Sequence, residues 1–141
     1  MAKHKTVREV MTPDPIALPD TASLVDAAQR MRAAAIGNVV VLDGGKVCGI
    51  VTDRDIVVRG IADGRDPRST TLGDVCSRNL TTVAPDDQIA AAVRLLRDKA
   101  IRRLPVVEAG RAVGILSIGD VAIEQERDSP LAAVSAAPPN V

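Results

Sequence analysis

The 141-residue chain contains no Phe, Tyr or Trp. Any flat ligand must therefore be gripped by aliphatic groups, and the aromatic stacking platforms that hold single-stranded nucleic acid are excluded. Cysteine and histidine are scarce as well, with only Cys48, Cys76 and His4 present. With no C-x-x-C pair, the two cysteines indicate neither a disulfide framework nor a zinc knuckle, and both read as small core hydrophobes. A metal site built on these three would need further ligands, from carboxylates or shared across a subunit interface, so none is expected. Charge of one sign is also missing: 18 Lys plus Arg are balanced by 18 Asp plus Glu. Such a chain has no bulk cationic field to gather nucleic acid or acidic lipid. No stretch approaches the ~20 apolar residues of a membrane span, and the polar opening residues 1–10 lack the apolar centre of a secretory signal. These absences lead to the expectation of a soluble cytoplasmic protein with no nucleic-acid or membrane partner.

What is present is a large aliphatic content, 46% hydrophobic residues by composition. A chain of this length can bury about 68–70% of its unfolded surface, so it can carry a real core. It also repeats. An offset of 65 residues superposes Val10 on Val75, Arg32 on Arg97, Ala35 on Ala100, Ile36 on Ile101, Val41 on Val106, Gly49 on Gly114, Ile50 on Ile115 and Asp55 on Asp120 without a gap. The chain is a tandem duplication.

Each copy carries the same run of signals. A short helical turn (Val7, Val10, Met11; Leu72, Val75, Cys76) precedes a brief extended run at residues 16–18 or 81–83. A helix follows, with Thr21 and Asp86 as its expected N-caps. Its apolar stripe is Leu24, Ala27, Ala28, Met31 and Ala35 in copy one, and Ile89, Ala92, Val93, Leu96 and Ala100 in copy two. The unbroken apolar runs 39–42 and 104–107 predict strands covered on both faces. Asp43-Gly44-Gly45-Lys46 and Glu108-Ala109-Gly110-Arg111 then supply hairpin turns into return strands 47–51 and 112–116. Thr52 and Ser117 start a second helix, running to about residue 60 or 126. The expected fold class is α/β, each repeat being β-α-β-β-α. Repeat 1 is expected over 7–62 and repeat 2 over 70–126, joined by a charged, turn-rich linker at 63–69. The tail, 127–141, is rich in Ala, Pro and Ser and is expected to be disordered.

The paired segments Gly49-Ile50-Val51-Thr52-Asp53-Arg54-Asp55-Ile56 and Gly114-Ile115-Leu116-Ser117-Ile118-Gly119-Asp120-Val121 resemble the signature of the CBS domain. Ile101-Arg102-Arg103-Leu104-Pro105-Val106-Val107 is similar to that family's lead into its second strand. Two such units in tandem resemble a Bateman module, and the resemblance spans 7–125. Copy one departs from it, with Val40 in place of Pro105 and Gly37-Asn38 in place of Arg102-Arg103. The resemblance implies sheets packed about a pseudo-twofold axis and two clefts between the repeats. It also implies adenosyl ligands (AMP, ADP, ATP or S-adenosylmethionine), a homodimer, no catalysis, and control of a separate, unidentified protein effector.

Chemistry on the residues themselves supports a nucleotide site. A hydroxyl at a strand-to-helix junction (Thr52, Ser117) lies beside unpaired amides and the positive end of the helix dipole, where phosphate is favoured. A carboxylate one helical turn later (Asp55, Asp120) can accept hydrogen bonds from two ribose hydroxyls. Arg102 and Arg103 offer planar donor forks for phosphate. Apolar groups near Ile16, Val39 and Pro105, with Thr81 and Thr82, are the candidate adenine sandwich. The same [ST]-x-x-[DE] pattern is also a capping box that needs no ligand, and Arg102 and Arg103 could be a solvated pair or ion-paired to Asp98 or Glu108. Asp53-Arg54 reads as a charged first helical turn. Nothing pairs a nucleophile with a base, so no catalytic residue and no enzyme activity is expected. The adenine nucleotide is then a regulatory ligand, not a required cofactor. A ligand-free structural or dimerisation module is the competing reading.

Overall fold

The computed structural model describes residues 5–76 and 80–125. His4 and the expected tail at 127–141 lie outside the described residues. The element order is α1 (Val7–Val10), β1 (Thr12–Pro13), β2 (Ala17–Pro19), α2 (Leu24–Ala34), β3 (Asn38–Asp43), β4 (Lys46–Thr52) and α3 (Asp53–Asp55), which continues as a π-helical stretch at Ile56–Ile61. Then come α4 (Leu72–Val75), α5 (Ile89–Asp98), β5 (Arg103–Glu108), β6 (Arg111–Ser117) and α6 (Ile118–Gln125). This is a mixed α/β fold with two small three-stranded sheets, in the orders β2-β3-β4 and β1-β6-β5.

In the first sheet β2 runs parallel to β3, with Leu18 opposite Val41, and β3 runs antiparallel to β4, with Val39 opposite Val51 and Asn38 opposite Thr52. The β3–β4 turn places Gly44 and Gly45 at φ 60° and 84°, the positive values that a two-residue hairpin of type I′ demands. In the second sheet Thr12 and Pro13 of β1 lie opposite Ile115 and Gly114 of β6. The extended run expected at 81–83 contributes a single parallel bridge, Val83 to Val106. Val39, Val40 and Val41 are all fully buried, as are Leu104 and Val106, in keeping with unbroken apolar runs.

The chain divides into two compact units, residues 5–13, 81–108 and 113–125 in one, and 14–76, 80 and 109–112 in the other. The units cut across the sequence repeats at the leading helices. Leu72, Val75 and Cys76, from α4 of the second copy, are buried in one core with Leu24, Ala27, Met31, Val39, Val41, Val51 and Ile56. Val7, from α1 of the first copy, is buried in the other with Val83, Ala92, Leu96, Leu104, Val106, Leu116 and Val121. Backbone hydrogen bonds repeat the exchange in register. The Leu24 amide donates to the Thr70 carbonyl at 3.0 Å and the Ile89 amide to the Lys5 carbonyl at 2.9 Å, while Leu72 donates to Ala22 and Val7 to Asp87 at 2.8 and 2.9 Å.

Those bonds explain why the expected N-caps are displaced. α2 is capped by Ser23, whose Oγ accepts from the Asp26 amide at 3.0 Å while the Ser23 amide donates to Asp26 at 3.1 Å. α5 starts after Gln88 with no side-chain cap, its first amide being taken by Lys5. Thr21 and Asp86 therefore do not cap, and Asp86 stands in solvent 3.7 Å from Arg8. The apolar stripe of α2 is also narrower than the pattern suggests. Leu24, Ala27 and Met31 are buried but Ala28 is exposed, and Ala35 lies past the helix in the left-handed region at φ 54°. Ala100 ends α5 in the same way, at φ 52°. The second helix of copy one begins at Asp53 but widens to i→i+5 bonding, with the Ala62 amide donating to the Val57 carbonyl at 2.8 Å. Gly60 lies against Leu24 there, and an added Cβ would stand 2.6 Å from Leu24 Cδ1.

Candidate functional site

Two strand-to-helix junctions carry the candidate ligand residues, one in each unit. Thr52 is the last residue of β4, and its Oγ1 accepts from the Asp55 amide at 3.1 Å while its own amide donates to Asp55 Oδ2 at 2.9 Å. Ser117 ends β6 in the same way: its Oγ accepts from the Asp120 amide at 3.0 Å and its amide donates to Asp120 Oδ2 at 3.0 Å. All four residues are half-buried. Both junctions are reciprocal capping boxes, so the hydroxyl and one carboxylate oxygen of each are engaged without a ligand. The second oxygen, Oδ1, of Asp55 and of Asp120 has no hydrogen bond among the described residues.

A further bond closes each junction. The first amide of the helix donates back to the start of the lead-in strand, Asp53 to the Gly37 carbonyl at 3.0 Å and Ile118 to the Arg102 carbonyl at 2.9 Å. Gly37 and Arg102 are repeat equivalents, as are Asp53 and Ile118, so the duplicated backbone makes the same contact with different side chains around it. At the first junction those side chains hold two carboxylates, Asp53 and Asp55, and one guanidinium, Arg54. The equivalent positions of the second hold one carboxylate, Asp120, and two guanidinia, Arg102 and Arg103.

The remaining expected residues are placed as follows. Ile16 is half-buried against the first core, and its carbonyl accepts from the Val40 amide at 2.8 Å. The Val39 side chain is sealed in that core with no exposed surface, which leaves only its backbone for ligand contact. Thr81 is half-buried and Thr82 exposed, just ahead of the Val83 bridge. Pro105 is buried, and its carbonyl accepts from the Val83 amide at 3.1 Å. Arg102 is exposed and Arg103 half-buried. Neither is ion-paired among the described residues, and Glu108 is held instead by Arg8 Nη2 at 3.2 Å.

Asp53 is the residue that sequence reasoning undervalued. Its Oδ1 accepts from the Arg54 amide at 2.8 Å. Its Oδ2 lies 3.2 Å from where a Cβ on Gly37 would stand. The available signal was the break in the repeat at this position, Asp53 against Ile118. An apolar groove of about 220 Å³, lined by Val93, Leu96, Arg97, Ile118, Val121 and Ala122, lies in the unit that holds β5 and α6 and includes none of the expected ligand residues. Among the described residues no cluster of three or more His, Cys, Asp or Glu is placed to hold a metal ion, and no helix is long and apolar enough to cross a membrane.

Comparison with known proteins bears on most of the chain. The model of the CBS domain family matches residues 7–60 and again 72–126. A CBS domain-containing protein of Bacillus subtilis, YhcV, is 33% identical over 120 residues, covering 85% of both chains. An uncharacterized protein of Methanopyrus kandleri, MK0525, is 36% identical over 118 residues, and the match spans 82% of this chain but only 60% of that protein. Among solved structures, the CBS domain pair of protein MJ0100, in complex with 5′-methylthioadenosine and S-adenosyl-L-methionine, superposes with a TM-score of 0.80 at 23% identity, covering 90% of this chain and 100% of that one.

Proposed function

The chain belongs to the CBS-domain family and carries two of its domains in tandem, and from that premise we propose that it is a regulatory module that binds adenosyl ligands at its two strand-to-helix junctions. The observation that carries the reading is the twofold occurrence of a hydroxyl and a carboxylate locked together at 2.9–3.1 Å. Capping boxes recur equally at Thr6–Glu9 and Thr71–Asp74, but those carboxylates are exposed, whereas Asp55 and Asp120 are half-buried just after a Gly-apolar-apolar strand. Each half-buried carboxylate keeps Oδ1 for the ribose hydroxyls of a ligand, and charge-assisted hydrogen bonds of that kind are the strong ones. Ile16 and the Val39 backbone at the first junction, and Thr81, Thr82 and Pro105 at the second, are the groups assigned to the base. Arg102 and Arg103 are assigned to phosphate at the second. That the MJ0100 domain pair was crystallised with two adenosyl compounds supports this ligand class.

Ligand occupancy can shift a partner only by as much as affinity differs between the two states of the module. The module assembles as a homodimer and passes occupancy to a separate protein effector, without catalysis of its own. A second reading, a ligand-free interaction module, draws support from exposed Val57, Val58 and Ile61, at 57%, 45% and 52% of full accessibility. Thermal unfolding with adenosine, AMP, ATP and S-adenosylmethionine separates the two, because a ligand at 100 times its dissociation constant adds ~2.7 kcal/mol of stability. A shift that Asp55→Asn and Asp120→Asn together abolish supports the sensor. No shift with any of the four compounds supports the interaction module.

A further inference from the structure

Building on the ligand-binding reading above, we propose that Asp53 sets the charge selectivity of the first junction, which takes an adenosyl ligand lacking phosphate, whereas the second junction has no such guard. The Asp53 carboxylate is fastened in the mouth of the junction. Its backbone amide is tied to the Gly37 carbonyl at 3.0 Å, and its Oδ1 accepts from the Arg54 amide at 2.8 Å. The other oxygen, Oδ2, is within 3.2 Å of the point where a Gly37 side chain would start. The carboxylate thus lies close over the start of the strand at residue 37, where a side chain would press on it.

A phosphate extending from a ribose held at Asp55 would meet this carboxylate at the amides next to Thr52. The amides of residues 53, 54 and 55 are already taken, by Gly37, Asp53 and Thr52. Phosphate would have to displace one anion while standing beside another, and like charges a few ångströms apart disfavour each other strongly even near a surface. Arg54, next in the chain, is exposed and in no ion pair among the described residues. A ligand whose 5′ substituent is neutral, such as a nucleoside or a thioether, avoids the conflict, and a cationic sulfonium also gains from the surplus carboxylate.

The second junction differs at the same positions. Ile118 replaces Asp53 and is half exposed, at 50%. Gly119 replaces Arg54, and a Cβ added there would meet only Ser117 Oγ, at 3.6 Å. Arg102 and Arg103 replace Gly37 and Asn38. Duplicated backbones with opposite local charge are thereby suited to different ligands.

The test uses the full chain carrying Asp120→Asn, which leaves the first junction as the only intact one, and calorimetric titration with adenosine and with AMP. Adenosine is expected to bind about tenfold or more tightly than AMP. Adding Asp53→Asn, whose side-chain oxygen can still accept from the Arg54 amide, should improve AMP affinity about tenfold and leave adenosine affinity unchanged. Raising the salt to about 1 M, where the screening length falls to roughly 3 Å, should narrow the parent's preference. Equal affinities for the two ligands in the Asp120→Asn chain, or an Asp53→Asn effect of the same size on both, would overturn the proposal. Binding of adenosine by the unsubstituted chain but not by Asp120→Asn would also overturn it, leaving the ligand-binding reading in place. Loss of all binding in the unsubstituted chain would remove both.

Discussion

Ala35 and Ala100 end α2 and α5 in the left-handed region, at φ 54° and 52°. In each case the following residue reaches back across the helix end, the Ile36 amide to the Met31 carbonyl at 3.0 Å and the Ile101 amide to the Leu96 carbonyl at 3.1 Å. This is a Schellman closure, which ordinarily places glycine at the left-handed position because a Cβ there costs energy. Ala35→Gly and Ala100→Gly should therefore each stabilise the protein by up to about 1 kcal/mol, the strain released being partly offset by the greater chain entropy of glycine. Urea unfolding should show the midpoint moving up with an unchanged slope; a lower midpoint would mean that the alanine methyls are packed. The same two alanines illustrate how far single residues could be read from sequence. Their i+4 spacing from Met31 and Leu96 made them part of an apolar stripe, and without a glycine the helix end left no local mark. Ser23 was missed as a cap for a related reason: Thr21, Ala22 and Ser23 offer two hydroxyls, and only the Thr70–Leu24 hydrogen bond, a long-range contact, decides between them. At Thr52, Asp55, Ser117 and Asp120 the pairing was legible, because a capping box is a local motif with a fixed spacing. The placement of Asp53 was not, since it is set by the hydrogen bond of its amide to the Gly37 carbonyl, sixteen residues earlier in the chain.

At the scale of elements, α1 and α4 are four-residue helices, too short to persist alone, and two things hold them. One is the cap. Glu9 accepts from the Thr6 amide and hydroxyl at 3.0 and 3.1 Å, and Asp74 from the Thr71 amide at 3.0 Å. The backbone bond first and the threonine hydroxyl second hold both carboxyls below their ordinary range. A carboxyl whose folded pKa is depressed contributes stability that is fully present above its unfolded value, near 4 for these residues, and is lost as pH falls through the lower folded value. The unfolding midpoint should therefore fall on acidification below about pH 5, and Glu9→Gln with Asp74→Asn should make that fall shallower than in the parent. An unchanged acid limb would remove these caps from the pH response. The second support is burial in a core made largely by the other repeat. Leu72→Ala, at a fully buried site, should cost about 2–5 kcal/mol. Native-state hydrogen exchange should show the loss in β3 and β4, which share its core, more than in β5 and β6. Greater loss in β5 and β6 would contradict the exchange. The periodicity of 7–11 and 72–76 identified both helices in the sequence. Which core each one enters was not legible, because a repeat pattern records similarity and not contact.

For the molecule as a whole, the exchange of leading helices makes each compact unit a product of both halves of the chain. Cutting at the linker, between residues 66 and 67, would leave the first half with Val7 and Met11 but without the Val83, Ala92, Leu96 and Leu104 surface that receives them. It would also leave its own core of Leu24, Ala27, Met31 and Val39 open where Leu72, Val75 and Cys76 belong. The second half would suffer the reciprocal loss, and domains of this size are already marginal because they bury a smaller share of their surface. Two fully buried side chains, Leu72 and Val75, are removed from the first core by such a cut, and burying a Val or Leu is worth ~1.5–3 kcal/mol each. That is a large part of the ~5–15 kcal/mol by which proteins are stable. Fragments 1–66 and 67–141 should therefore each unfold without a cooperative transition when alone, and recover one when mixed, since each supplies the helix that the other lacks. The association must cover the entropy that the covalent linker otherwise saves, so recovery should depend on fragment concentration. Circular dichroism melts of each fragment and of the equimolar mixture provide the measurement. Sharp independent melting of both fragments would show that each sequence repeat closes its own core, and that the helix exchange contributes nothing to folding.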